Sequence, residues 1–493
     1  MKQLTVMHKR SMNLLGSTLV AVLFMAACKV AAPPALPDVK PLPPEFLPKT
    51  DTSASMMDST SAGNFHWDVF YSDSLLLELI DTVLKNNPDQ QIALQRVEIM
   101  NQLVNQRRAA FLPSFQGVLS GGLDRFGEYT MNGVGNWDMN LSPNLSKEQI
   151  VPNPVPDLFV GVRSHWEIDI WGKLKAQKKA AIARLMAAEN GRRYLTTQLV
   201  AQVASLYYEL AASDIELDII QNNVKLQQQA LEVVKVQKEG GRATQLAVQQ
   251  FEAQLYRTQS LEWMMKQRIV SIENQLSVLA NQYDQPIKRQ KFSFQDITPS
   301  PLPVGFPSDV LLNRPDIKEA ELKLQAAKSD IEAIRAAFLP ALTLQPMIGL
   351  HTYNTSKWIN PESLTWGILG GLTAPLLNRR QLKADFNIST AEQKIAFNGY
   401  QQTLVIAYNE ISTQMNNWSN LSQQFYLKEK EFNVLSTAVQ TARDLYVGGY
   451  ANYLEVITAQ KGVLDAELEL VDTRLKMMQA KVDLYRALGG GWQ

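Results

Sequence analysis

Cysteine and histidine are nearly absent from this chain of 493 residues, which holds one Cys and four His. No Cys/His metal cluster can be assembled from so few ligands. An excess of charge is also lacking. Forty-eight basic residues face 48 acidic ones, the formal net charge is zero, and no basic block occurs, so nothing favours a nucleic-acid partner. There is no P-loop, no Gly-x-Ser-x-Gly elbow and no His-Glu-x-x-His, and the expectation is a protein that is not an enzyme and needs no cofactor. Beyond the N-terminus no apolar run reaches 18 residues, so no transmembrane helix is expected there.

What is present begins with an export signal over residues 1–27. Lys2, His8, Lys9 and Arg10 precede an apolar run from Met12 to Met25, which is too short for a spanning helix of roughly 20 residues. Met25-Ala26-Ala27 then leads into Cys28, the only cysteine, in the manner of a bacterial lipobox. Cys28 is therefore expected to be the acylated first residue of the mature chain, and that covalent lipid is the only attached group expected. Residues 28–65 form the lipidated N-terminus and a proline-rich tether. Seven prolines between 33 and 48 keep it extended.

The rest is a duplication. Arg108-Ala109-Ala110-Phe111-Leu112-Pro113 returns as Arg335-Ala336-Ala337-Phe338-Leu339-Pro340, 227 positions later, and each copy follows a helix-like run opening on Pro88-Asp89 or Pro315-Asp316. Further on, Gly241 answers Gly449 at an offset of 208. Between them, Val203, Leu210, Leu217, Val224 and Leu231 match Ile411, Trp418, Phe425, Phe432 and Val439 in a seven-residue row. The spacing predicts a first repeat over 66–283, a proline-rich linker over 284–310 and a second repeat over 311–493. Each repeat reads as a helix, two strands and a long helical hairpin.

The strands are expected at 115–124, 159–171, 341–351 and 364–376. On the second, Val160, Val162, Trp166 and Ile168 lie opposite Gly161, Arg163, His165 and Glu167. One apolar face against one polar or small face suits a strand between lipid and a wet lumen. Pro113 and Pro340 end the preceding helices. With Trp171, Gly172 and Asn378 they mark the junctions between strands and helices. Four strands cannot close a membrane barrel, so several chains would have to share one. The connection over 124–158, rich in Gly, Asn and Pro, reads as an exposed loop. The hairpins are expected at 173–282 and 379–488. Leu174–Glu239 contains no proline and would rise roughly 100 Å as a helix. Gly240-Gly241 and Gly448-Gly449 stop the outgoing helices, since glycine supplies the left-handed conformation.

These motifs in this order resemble the TolC-like outer-membrane efflux proteins, in the lipoprotein branch of OprM/NodT type. The resemblance covers nearly everything after Cys28. It rests on the paired Ala-Ala-Phe-Leu-Pro motifs, on Asn87-Pro88-Asp89 and Arg314-Pro315-Asp316, and on the tip Val447-Gly448-Gly449-Tyr450-Ala451-Asn452-Tyr453-Leu454. It implies a mainly α fold with a small membrane β-region: a homotrimeric α-helical tunnel continued by a shared 12-stranded barrel, four strands per chain. It also implies placement in outer-membrane lipid with an extension into the periplasm, and a passive exit duct for small molecules such as drugs and toxic compounds. The implied partners are a periplasmic adaptor (membrane fusion protein) and an inner-membrane RND-type transporter. The adaptor would dock on the tips, at Gly240, Gly241, Arg242, Thr244, Gly448, Gly449, Tyr450 and Asn452.

The chain departs from the family at the closed end of the tunnel. Where relatives often carry aspartates after the second glycine turn, this chain has Glu455 and Thr458. The latch arginine of some members corresponds to Ala451, and the aspartate of the first tip to Ala247. The constriction is therefore expected to combine Glu455 with apolar packing of Tyr446, Tyr450 and Tyr453. Three rivals share some of these features. A periplasmic adaptor would have one hairpin and no lipid-facing strands. The outer-membrane duct of a type I protein secretion system would have the same fold and another cargo. A hydrolase using Glu167 and Asp169 would need a pocket and a base partner that the sequence does not supply.

Overall fold

The computed structural model describes residues 32–43, 61–283, 285–290, 304, 307–375 and 379–492. Cys28, Asn378, the export signal and most of the inter-repeat linker fall outside them. Short helix α1 (Trp67–Phe70) leads to α2 (Ser74–Asn86) and α3 (Pro88–Ala109). Strand β1 (Ser114–Asp124), helix α4 (Met131–Asn140) and β2 (Val155–Ile168) follow. The first hairpin is α5 (Lys173–Glu239) and α6 (Gln245–Leu279). After α7 (Pro307–Leu311) the order returns as α8 (Pro315–Ala337), β3 (Ala341–Thr352), β4 (Leu364–Thr373), α9 (Arg379–Val447) and α10 (Tyr453–Ala487).

The chain forms two compact units, and they do not follow the sequence repeat. One gathers Ile99–Leu185 with Lys323–Phe397; the other gathers Asp38–Glu98, Met186–Leu322 and Asn398–Gln493. Helices α3, α5, α8 and α9 contribute residues to both.

The first unit is built on an antiparallel sheet in the order β1-β2-β3-β4. Register places Gln116 across from Arg163, Gly161 across from Gly349, and Ile348 across from Trp366. Among the described residues, each outer strand, β1 and β4, has one edge without a partner strand. The apolar face is open: Phe115, Leu119, Leu123, Trp366, Ile368 and Leu372 are each at least 66% exposed.

Three strand boundaries differ from expectation by three or more residues. Strand β2 begins at Val155, ahead of 159, because its pairing with β1 continues through Pro156 to Val155. It ends at Ile168, short of 171, because Asp169 turns away to cap α5. Its carboxylate accepts from Leu174 N (3.1 Å) and Lys175 N (2.8 Å). Strand β4 ends at Thr373, short of 376. The 124–158 connection, which the sequence pattern reads as loop, holds α4. Thr130 caps that helix by accepting from Gly133 N, and Asn140 ties the segment with two bonds of 2.9 Å to the backbone of Val151. Lys357 to Glu148 (2.7 Å) and Tyr353 Oη to the Gln149 carbonyl (2.7 Å) link this longer connection to the β3–β4 connection.

The second unit holds the main cores. One surrounds Leu76, Ile80, Val203, Tyr207, Leu210, Ile272 and Leu276; another surrounds Ile317, Leu404, Ile411, Met415, Trp418 and Leu484. The heptad row supplies Val203 and Leu210 to the first and Ile411 and Trp418 to the second. Two helix starts are fastened to the ends of returning helices. Asn87, just before α3, donates to the Leu279 carbonyl at the end of α6 (3.0 Å). Arg314, just before α8, donates to the Ala487 carbonyl at the end of α10 (2.6 Å). Terminal helix carbonyls have no intrahelical partner, so these bonds satisfy groups otherwise left orphaned. No described helix is long and apolar enough to cross a membrane.

Candidate functional site: the glycine tips and the sheet junction

The two hairpin tips are built alike to the level of single hydrogen bonds. At the end of α5, Gly240 N donates to Val236 O, Gly241 N to Lys238 O, and Arg242 N and Ala243 N to Gln237 O. At the end of α9, Gly448 N donates to Asp444 O, Gly449 N to Tyr446 O, and Tyr450 N and Ala451 N to Leu445 O. Gly241 has φ +72° and Gly449 φ +76°, the left-handed conformation that stops a helix and that a Cβ disfavours. Thr244 then caps α6 by accepting from Ala247 N (3.2 Å), and Asn452 caps α10 by accepting from Leu454 N (2.9 Å) and Glu455 N (3.2 Å). Gly240, Gly241, Arg242, Thr244, Gly448, Gly449, Tyr450 and Asn452 are all exposed.

The residues expected at the constriction separate into different tasks. Glu455 is exposed, and its Oε2 accepts from Asn452 N (2.8 Å), closing a reciprocal capping box. The Asn452-x-x-Glu455 spacing is the sequence signal for that role, one that the comparison with relatives at the constriction does not use. Tyr446 donates from Oη to Gln237 Oε1 (2.5 Å), which joins the second tip to the first. Burial raises its phenol pKa. Tyr453 packs with Ile457 on the apolar cluster of the first hairpin around Val248, Phe251 and Leu255. Tyr450 is 87% exposed. Within one chain the three tyrosines therefore make no common cluster.

At the junction the tryptophans act as hydrogen-bond staples. Trp171 Nε1 donates to the Pro340 carbonyl (2.7 Å), tying the end of the first repeat's β-region to the start of β3. Trp166 Nε1 donates to the Phe111 carbonyl, two residues before Pro113 (2.9 Å). Gly172, with φ +77°, makes the turn into α5. Glu167, a candidate in the hydrolase reading, pairs with Lys173 (2.5 Å), while Asp169 caps α5. Both carboxylates thus serve the helix start. Among the described residues no group of three or more His, Cys, Asp or Glu is placed to hold a metal ion.

Residues 79–282 and 306–490 match the family described as outer membrane efflux protein, one match for each repeat. The chain belongs to that family. The cation efflux system protein CusC of Escherichia coli O6:H1 is 26% identical over 453 residues, covering 92% of this chain and 94% of CusC. SilC of Salmonella typhimurium, described as a probable outer membrane lipoprotein, is 26% identical over 472 residues, covering 96% and 97%. A crystal structure of CusC superposes with a TM-score of 0.79 at 25% identity, covering 93% of this chain and 99% of that one. The fold is that of the TolC-like efflux channels, mostly helical with a small four-stranded antiparallel sheet, and the outer membrane is its place.

Proposed function

We propose that this outer membrane efflux protein is a passive exit duct for small molecules, formed by three copies that share one 12-stranded barrel. The observation that carries the reading is the open sheet. Its apolar face is exposed, and among the described residues two of its strand edges have no partner strand. In lipid each unpaired backbone group costs several kcal/mol, so the edges must be closed by further strands. Pairing β1 of one copy with β4 of the next closes the sheet without a new element. SilC's description as a lipoprotein supports acylation of Cys28 as a second anchor.

On this reading, the matched glycine tips receive a periplasmic adaptor coupled to an inner-membrane transporter. The membership of relatives such as CusC in an efflux system supports that role. Glu455 and the nearby tyrosines then stand at the narrow periplasmic end, where three copies of each would approach one axis. Cysteine crosslinking between β1 and β4 in native membranes is expected to yield a three-chain species. A folded, inserted monomer that yields no such species would refute the proposal.

A further inference from the structure

The polar face of the sheet carries a cation set apart from the described carboxylates. On β2 that face presents Asp157, Phe159, Gly161, Arg163, His165 and Glu167. Phe159 is only 4% exposed, on a face where most side chains are open. The reason lies in the backbone beneath it. Gly161 and Gly349 are register partners on β2 and β3, and a Cβ at either would stand 2.9 Å from Phe159 Cζ. Two paired glycines leave a notch, and the ring fills it. The Arg163 guanidinium carbon lies 4.7 Å from the centre of that ring, within the range of a cation–π contact. The ring edge meets His351 at a centroid distance of 6.0 Å, and His351 Nε2 lies 2.6 Å from Asp157 Oδ1. The ring is thus held from below and from one side, and it holds the guanidinium.

The acidic groups that β2 places on this face are occupied elsewhere: Asp157 pairs with His351 and Glu167 with Lys173. Among the described residues no carboxylate is paired with Arg163. Its guanidinium rests instead on the Phe159 ring. Arg163 is therefore a cation on this face with an aromatic ring, and no carboxylate, as its described partner.

We infer that Arg163 is a charge-selecting residue of the duct, three guanidiniums standing on the lumenal wall of the shared barrel and favouring anionic over cationic solutes at that level. The inference rests on the proposed trimeric duct. Gln116 stands directly across from Arg163 in register, with Cβ atoms about 5 Å apart in such pairs, and is exposed on the same face. Gln116→Cys therefore places a reporter thiol beside the guanidinium. Small membrane-impermeant methanethiosulfonates of opposite charge are applied to intact cells, with the chain lacking this substitution as the labelling blank.

The anionic reagent is expected to react about tenfold faster than the cationic one at low salt, once intrinsic reactivities are normalised on a free thiol. Arg163→Gln should bring that ratio close to one, and Arg163→Lys should retain part of it. If both reagents label the Gln116→Cys thiol and Arg163→Gln leaves their ratio unchanged, the assignment of Arg163 is overturned while the duct reading stands. If that thiol is inert and one on the opposite face, from Leu119→Cys, reacts instead, the face is not lumenal and the duct reading falls with the inference.

Discussion

Replacing Arg314 tests whether the helix starts are held as the structure describes. Arg314 is 2% exposed, and its guanidinium is engaged on every nitrogen. Its Nε and Nη2 meet Asp316 (3.1 and 2.8 Å), Nη1 and Nη2 both meet Glu410 Oε2 (3.0 Å), and Nη1 also reaches the Ala487 carbonyl (2.6 Å). Glu410 keeps a second partner, Arg486 Nη2 (2.6 Å). Arg314→Ala would leave a largely buried carboxylate short of one cation and a helix-terminal carbonyl orphaned. Breaking a buried pair from one side costs about 3–5 kcal/mol. At position 87, 227 residues earlier, Asn87 performs the carbonyl contact alone and caps α3. Arg314→Asn should therefore recover the bond to Ala487 but not the carboxylate contacts, and should fall between wild type and alanine. Adding Glu410→Gln to Arg314→Asn removes the stranded charge and should recover part of the loss, a coupling of about 0.5–3 kcal/mol. The assay is the apparent melting midpoint of detergent-purified protein, where the alanine variant should drop by roughly 5 °C or more. An alanine variant within about 1 °C of wild type, or asparagine as damaging as alanine, would refute the reasoning.

Burial pushes the Glu216 carboxyl up to about 7, opposed by Arg268 at 3.5 Å and reinforced by Asp472 and Glu209. A raised folded-state pKa stabilises fully below the unfolded value near 4.5, and that contribution is lost as pH rises through about 7. Glu216→Gln should accordingly raise the melting midpoint at pH 8 and leave it unchanged at pH 4.5; an equal shift at both values would sink the linkage. At the tips, Gly241→Asp and Gly449→Asp force a side chain into left-handed geometry, at roughly 1 kcal/mol or more. They should lower export in a strain lacking other ducts while trimer abundance holds, and unchanged drug tolerance would count against docking there. Cys28→Ser should abolish incorporation of labelled fatty acid, whereas a mature chain retaining residues 1–27 would contradict the processing.

Much of the architecture is legible because proline, glycine and the heptad period act locally. Pro88 and Pro315 open α3 and α8, Gly241 and Gly449 stop α5 and α9, and a two-residue alternation marks the strands. The failures have tertiary or side-chain causes. Helix α4 is hidden in the sequence because Gly133, Gly135 and Asn136 lower its intrinsic propensity, while Thr130 and the Asn140–Val151 clasp supply what propensity lacks. Strand β2 reads too far because Ile168 and Ile170 keep the alternation, although Asp169 is already committed to capping α5. Correspondence with relatives assigns Glu455 to the constriction, whereas its capping-box spacing points to a second, local task. The compact units are not foreseeable from the repeat, which records where the sequence duplicated, whereas packing joins like elements from both copies.

The duplication constrains the backbone more tightly than the side chains. At the tips, φ values of +72° and +76° and a matching ladder of bonds recur, because glycine alone meets the requirement without strain. At the helix starts the requirement is a donor for one orphaned carbonyl, and several residue types can meet it. The first repeat uses an amide; the second uses a guanidinium, which can serve carboxylates as well. The added bonds join α8, α9 and α10 through Asp316, Glu410 and Arg486, whereas an amide such as that of Asn87 carries no charge with which to make an ionic link. A two-fold repeat set in a three-fold assembly would present six similar hairpins of two kinds. In the proposed trimer the first-repeat start is held through an amide and the second through a guanidinium that also carries ion pairs, so the two kinds of hairpin are fastened differently.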